Sequence, residues 1–306
     1  MSEAGGRGGQ AHLPVLVDEV TFLLRPHRGG WVVDGTIGMG GHAERLLEAG
    51  GSGARLLGID RDPEALRRAG QRLARFGERV TLTRGSFREL AALAAEAGAT
   101  AADAILLDLG LSSYQLEESG RGFSFQNEEA LDMRFDPTHG RTASELLNSL
   151  STDELARILF QYGEERHARR IARRIGERRR RAPLRTTADL VAVVKGAVPR
   201  AAWSRRLHVA TRTFQALRMA VNEEAEALTE ALPQAASLLA RGGRLGVISF
   251  HSGEDRIVKR SFRLLEEGGG FAGLLPSPIQ PGRDEVKDNP RARSAKLRVL
   301  ERLEAA

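Results

Sequence analysis

Between residues 12 and 107, short apolar runs alternate with longer stretches in which apolar positions recur at helical spacing. WVVDGTIG, RLLGIDRD, RVTLTRGSF and ADAILLDLG each pass from an apolar run into a turn of acidic residues or glycine, and so predict four strand-to-loop transitions. Residues 42–49, between the first two strands, and 63–76, between the second and third, carry helical periods, and Pro63 stands at a first helical turn, where its missing N–H costs nothing. Strands alternating with helices build a parallel sheet from β-α-β units, and such a sheet gathers ligands at the carboxyl ends of its strands.

After Leu111 the rhythm changes. From 113 to about 212 the pattern is helical, with charged loops and no buried strand. A long helix over about 213–240 then leads to strand patterns at GGRLGVISF and AKLRVLERL, and the glycine- and proline-rich stretch between them, 268–289, reads as a surface loop. The expected organisation is an α/β domain, discontinuous over 1–112 and 213–306, with an inserted helical domain over 113–212. The polar, glycine-rich first ten residues read as a disordered leader, with folding beginning near His12.

Composition narrows the chemistry. With 306 residues, 41% of them hydrophobic, the chain can bury one large core or two modest ones. Its lack of cysteine excludes disulfides, zinc–thiolate centres and thiol nucleophiles. Neither an apolar run of membrane length nor a signal-peptide core is present, so the expected compartment is the cytoplasm, with no membrane and no metal partner. The net charge of +6 suits a polyanionic partner.

The chemistry-bearing residues cluster at the predicted strand ends. In DGTIGMGGH (34–42) a strand runs into a glycine-rich turn that opens a helix, allowing close backbone approach by a ligand. Asp60, ending the next strand, is placed to accept hydrogen bonds from both hydroxyls of a ribose, as in nicotinamide dinucleotides and adenosyl cofactors alike. Asp62, before Pro63, reads instead as a helix cap. The turn lacks the plain G-x-G-x-x-G spacing that packs a pyrophosphate, and Asp34 would welcome a sulfonium or an amino group, which favours S-adenosylmethionine. Phe87 offers a face for adenine, and Asp108 closes a buried apolar strand where a carboxylate needs a partner or a task.

At this point the residues resemble a known family, the bacterial small-subunit (16S) ribosomal RNA cytosine-N4 methyltransferases (RsmH/MraW). The resemblance spans nearly the whole chain through HLPVLVDEV (12–20), DGTIGMGGH (34–42), GIDRDP (58–63), LLDLGLSSYQLE (106–117), RGFSF (121–125), LDMRFDP (131–137), YGEER (162–166), ATRTFQALRMAVNEE (210–224), ISFHSGEDRIVK (248–259) and NPRARSAKLR (289–298). It implies a class I S-adenosylmethionine-dependent methyltransferase (Rossmann-like) sheet with an inserted helical domain. It further implies cofactor contacts at Gly40, Gly41, His42, Asp60, Phe87, Asp108 and Gln115, and a cytosine N4 amine in the decoding region of small-subunit RNA as the methyl acceptor. Tyr114, Val209 and Gly253 depart from the family pattern of proline, proline and leucine.

That chemistry suits these residues. Methylation at C5 of cytosine normally uses a thiolate, which this chain lacks. Methylation at N4 needs positioning and an acceptor for an amine hydrogen, for which Asp108, or a backbone carbonyl within 109–111, is the catalytic candidate. Phe123, Phe125 and Tyr114 are candidates to receive an unstacked base. From Arg166 to Arg181 there are nine arginines and one glutamate, with Arg166, Arg169, Arg170, Arg173 and Arg174 at helical spacing opposite Ile171 and Ile175, and Arg166, Arg170, Arg173 and Arg174 are an expected contact for the RNA backbone. Arg291, Arg293 and Lys296 are a second candidate contact. His139, His251 and Asp255 invite a hydrolase reading, but no nucleophile elbow accompanies them. Two rivals stand beside the enzyme: an RNA-binding ribosome assembly factor with a vestigial cofactor site, and a nicotinamide oxidoreductase.

Overall fold

The computed structural model describes residues 14–26, 29–204 and 207–304. The glycine-rich leader and His12 lie outside the described residues. Contacts divide the chain into two units: one holds the residues up to Asp60, 64–110 and those from Ala231 onward, and the other holds 61–63 with 111–230.

The first unit is built on a seven-stranded sheet among the described residues, in the order β3-β2-β1-β4-β5-β7-β6. The strands are β1 (Trp31–Asp34), β2 (Arg55–Asp60), β3 (Val80–Arg84), β4 (Ala102–Asp108), β5 (Leu239–Ser249), β6 (Phe271–Gly273) and β7 (Lys296–Arg302). The first five run parallel, and β7 lies antiparallel between β5 and β6. Helix α1 (Val17–Leu24) precedes β1, and α2 (Gly41–Ala49), α3 (Pro63–Leu73) and α4 (Leu90–Glu96) occupy the connections from β1 to β4. Successive residues of the central strands turn to opposite faces, and both sets are buried. Val32, Leu56, Ala104 and Leu106 pack in one core with Val20 and Leu24 of α1, Leu46 and Leu47 of α2, and Leu73 of α3. Val33, Leu57, Ile105 and Leu107, between them in sequence, are equally inaccessible, as expected of a parallel sheet covered on both sides. Strand order reverses between β1 and β4, a topological switch point that opens a crevice at their carboxyl ends.

The second unit is helical, as the sequence pattern implies: α5 (Ser113–Glu117), α6 (Ala143–Ser149), α7 (Thr152–Gln161), α8 (Ala168–Arg179), α9 (Thr187–Ala197) and α10 (Thr211–Asn222). Capping boxes start four of these, each with a serine or threonine paired with a Gln, Glu or Asp three residues on: Ser112, Thr142, Ser151 and Thr186. The core joins Leu155 and Leu159 of α7, Ile171 and Ile175 of α8, Leu190 and Val194 of α9, and Phe214 and Leu217 of α10. Because α10 supplies part of this core, the unit runs on to Glu230 where the sequence pattern sets a boundary at 212.

Three local readings change. The long helix expected over 213–240 is two helices, α10 and α11 (Glu224–Leu238), because Glu223 adopts a left-handed backbone (φ 52°), and the bidentate pair of Arg218 with Glu224 spans the break. The stretch 268–289, between α12 (Ser252–Glu267) and the last strand, contains β6 and α13 (Arg283–Asp288) as well as loop. Helix α1, to which the pattern assigned no element, buries Val20 and Leu24.

Candidate functional site

The glycine turn after β1 is tied to both neighbouring strands. Gly35 N–H donates to Leu106 O of β4 (2.9 Å), and Ile37 N–H donates to Ile59 O of β2 (3.0 Å). Gly38 N–H donates to Asp60 Oδ2 (2.9 Å), so the candidate ribose carboxylate also organises the loop. Gly38 and Gly40 have positive φ (50° and 77°), a conformation that only glycine adopts readily. Gly41 answers to packing instead, since a Cβ there would stand 2.5 Å from Pro14 Cγ. The turn delivers His42, buried at the start of α2, with Nε2 3.6 Å from Asp108 Oδ2.

Thr36 links the two central strand ends: its N–H donates to Asp34 Oδ1 (3.1 Å) and its Oγ1 accepts from Asp108 N–H (2.6 Å). Asp34 is 2% exposed, and burial pushes its carboxyl up to about 7; His42 works against this shift, while Asp108 and Asp60 add repulsion. Asp34, His42, Asp60 and Asp108 therefore form one electrostatic group. Both ring nitrogens of His42 and Oδ1 of Asp108 are buried without a hydrogen-bond partner among the described residues. Buried polar atoms in that state call for a ligand.

These residues fit S-adenosylmethionine: a strand-end carboxylate, Asp60, of the kind that holds a ribose, buried polar atoms without hydrogen-bond partners among the described residues, and acidic charge suited to a cationic donor. Phe87, partly exposed, opens a short 3-10 turn capped by Ser86, and its Cβ is 3.3 Å from where a Gly35 Cβ would project. Gln115 belongs to the second unit. It is buried, and its Oε1 accepts from Ser112 N–H (3.0 Å) in the box that starts α5, a local role that the sequence motif did not reveal. No group of three or more His, Cys, Asp or Glu among the described residues is placed to hold a metal ion.

Several residues singled out in the sequence are structural. Phe123 is buried and stacks on Phe135 (centroids 5.7 Å), while Phe125 stacks on His208 (4.5 Å) with Phe214 at its edge, so both belong to the helical core. His251 caps α12 by accepting the Glu254 N–H (3.3 Å), and Asp255 is held by Lys296 (3.0 Å) and Arg298 (2.7 Å), which leaves no hydrolase triad. Lys296 is thereby committed to an ion pair, while Arg291 and Arg293 are exposed. His139 is exposed beside Asp136 (3.3 Å). Asp62, read as a cap, forms a buried ion pair with Arg121.

On α8 the sequence and the structure coincide in pattern. Ala168, Ile171, Ala172 and Ile175 face the core, whereas Arg169, Arg170, Arg173 and Arg174 are exposed, as is Arg166 just before the helix. Arg178 donates to Asp189 of α9 (3.0 Å), and a groove of about 420 Å³ between these helices is lined by Arg174, Arg178, Arg180 and Arg181 together with Glu177, Ala192 and Val193.

A doubly wound sheet with an antiparallel β7 beside β5, and an adenosyl-type crevice at its switch point, define a class I S-adenosylmethionine-dependent methyltransferase. The MraW methylase family matches residues 9–303, and the chain belongs to that family. It is similar to "Ribosomal RNA small subunit methyltransferase H" of Geotalea uraniireducens (strain Rf4), with 50% identity covering 95% of this chain and 98% of the relative. The protein of the same name from Pelobacter propionicus is 48% identical, covering 96% and 99%. A solved structure described as a putative rRNA-methylase from Clostridium thermocellum covers 96% of this chain and 99% of its own at 12% identity and a TM-score of 0.48, too loose a likeness to carry an argument.

Proposed function

We propose that the chain methylates the N4 amine of a cytosine in the decoding region of small-subunit (16S) ribosomal RNA, in the cytoplasm. The relatives' name supports the RNA, and the absence of cysteine favours an amine over ring carbon C5 as acceptor. The observation that carries the reading is that Asp108 Oδ1 and both ring nitrogens of His42 lie buried without a hydrogen-bond partner among the described residues, at the sheet's switch point.

Bound S-adenosylmethionine supplies an electrophilic methyl group. Asp60 would accept hydrogen bonds from its ribose hydroxyls, and Phe87, Gly40, Gly41 and His42 would complete the cofactor's binding site. Gln115 contributes through its side-chain amide. Asp108 accepts an amine hydrogen of the cytosine, which restores nucleophilicity to a lone pair otherwise delocalised into the ring. Positioning supplies most of the remaining rate. Arg166, Arg170, Arg173 and Arg174 grip the phosphate backbone, and 113–212 is the core of the substrate-recognition domain.

The test is nucleoside mass spectrometry of 16S RNA from cells with and without the protein. The expected result is loss of N4-methylated cytidine that returns with the wild-type chain and not with Asp108→Ala. An unchanged nucleoside profile would sink the substrate assignment.

A further inference from the structure

The tripeptide Arg61-Asp62-Pro63 directly follows Asp60, yet by its contacts it belongs to the second unit. Asp62 is 2% exposed and Arg121 is 9% exposed, and their ion pair is buried. Arg121 Nη1 donates to the carbonyls of Arg134 (3.0 Å) and Phe135 (2.8 Å), and the guanidinium stands over the ring of Phe123. Asn222 completes the assembly. Its Nδ2 donates to Met133 O (2.7 Å), its Oδ1 accepts from Phe135 N–H (2.8 Å), and its own carbonyl accepts from Arg61 Nη1 (2.8 Å). Met133, at the centre, has a left-handed backbone (φ 61°) and donates its N–H to Arg121 O (2.8 Å).

Holding the start of a helix needs far less than this, because an exposed serine or aspartate suffices. A buried ion pair carries a desolvation cost that a well-packed apolar pair avoids, so stability alone does not account for it, whereas its two partners do hold one geometry. Two peptide units separate the Cα atoms of Asp60 and Asp62, about 7 Å at most, so holding Asp62 restricts where the Asp60 carboxylate can point. Asp60 is also held from the sheet side, through its carbonyl, by Gly85 N–H (3.0 Å). The blocks RGFSF, LDMRFDP and NEE, which the methyl-transfer chemistry leaves unused, are those that supply Arg121, Met133 to Phe135 and Asn222.

We propose that Arg121, acting through Asp62, and Asn222, acting through Arg61, are positioning residues that set Asp60 for the cofactor ribose. Cofactor affinity then depends on the integrity of the 121–135 loop. This rests on the reading of Asp60 as the ribose ligand.

The test uses the full chain, with S-adenosylmethionine as the probe, in equilibrium binding and steady-state kinetics. Asp62→Asn and Arg121→Lys should each raise the cofactor Kd about tenfold, while kcat at saturating cofactor stays within about threefold of wild type. The double variant should be no worse than about twofold beyond either single, as for residues acting as one pair. Variants that melt cooperatively and bind cofactor within about twofold of wild type overturn the proposal. So does a fall in kcat at unchanged Kd. If the buried variants fail to fold, Arg61→Met, which severs only the bond to Asn222 O, should still raise Kd about threefold, and an unchanged Kd there overturns the proposal as well. Asp60→Ala separates the two layers. Wild-type binding by that variant refutes the ribose reading and the proposal with it, whereas weak binding by Asp60→Ala beside tight binding by the Asp62 and Arg121 variants refutes the positioning role alone.

Discussion

Asp60 and Asp108 end the two strands that flank β1, and their different surroundings predict different defects. On the proposed role of Asp60 as ribose ligand, Asp60→Ala, which also removes the acceptor of the Gly38 N–H, should weaken S-adenosylmethionine binding by about 1.5–3 kcal/mol, measured by calorimetry, with folding retained. Asp108→Ala should depress turnover at saturating cofactor; if it raises only the cofactor's apparent Kd, the acceptor of the amine hydrogen lies elsewhere. Asp34 gives a pH signature. Its carboxyl is raised in the folded chain to about 7 from an ordinary value of 3.8, so the fold favours the protonated form. Its stabilising contribution is complete below the lower value and is lost as pH rises through the interval to the upper one. Asp34→Asn keeps an acceptor for Thr36 N–H and stays neutral, so the cofactor-free variant should melt above wild type at pH 8 and alongside it at pH 4. An equal gap at both pH values would contradict the assignment. These strand-end carboxylates were legible because an acidic residue closing an apolar run is unusual. The upward shift of the Asp34 carboxyl was not, since it depends on burial and on Asp108 and Asp60 arriving from other segments, against the opposing effect of His42.

Among the elements, α8 is the clearest case of sequence pattern becoming surface, because Ile171 and Ile175 fix which side of the helix faces water. Its arginines make a specific prediction. Replacing Arg170 and Arg174 together with glutamate should lower affinity for small-subunit RNA and flatten its salt slope by about 0.7 for each lost single-strand phosphate contact, at unchanged cofactor affinity. The Arg174–Glu177 pair (3.2 Å) is exposed on both sides, so its loss alone contributes little. An unchanged salt slope would mean that these side chains are merely solvated. Helical periodicity marked 113–212 as helical without separating its elements and failed at Glu223, because a single left-handed residue leaves no trace in that pattern. Phe123 and Phe125 mislead for a related reason: aromatic residues near a substrate loop and aromatic residues in a core look alike until Phe135, His208 and Phe214 are seen against them.

For the whole molecule, cofactor choice is open to a direct measurement. S-adenosylmethionine at one hundred times its Kd should stabilise the chain by about 2.7 kcal/mol, while NAD should leave the melting temperature unchanged. Stabilisation by NAD alone would favour the oxidoreductase alternative. The sheet's parallel half could be read from the spacing of β1 to β4, but the position of β7 could not, since nothing in AKLRVLERL says which strands it separates. That position bears on how the molecule is made. Strand β6 is paired only through β7, and β5 keeps an unpaired edge until β7 reaches it. During synthesis the ribosome delivers all of 111–230, the contiguous part of the helical unit, before β5, and β5 before its last neighbour. A nascent chain can therefore complete its helical core while the sheet is still open, and the exposed side of β5 is the segment most in need of protection from other chains until residues 296–302 have emerged.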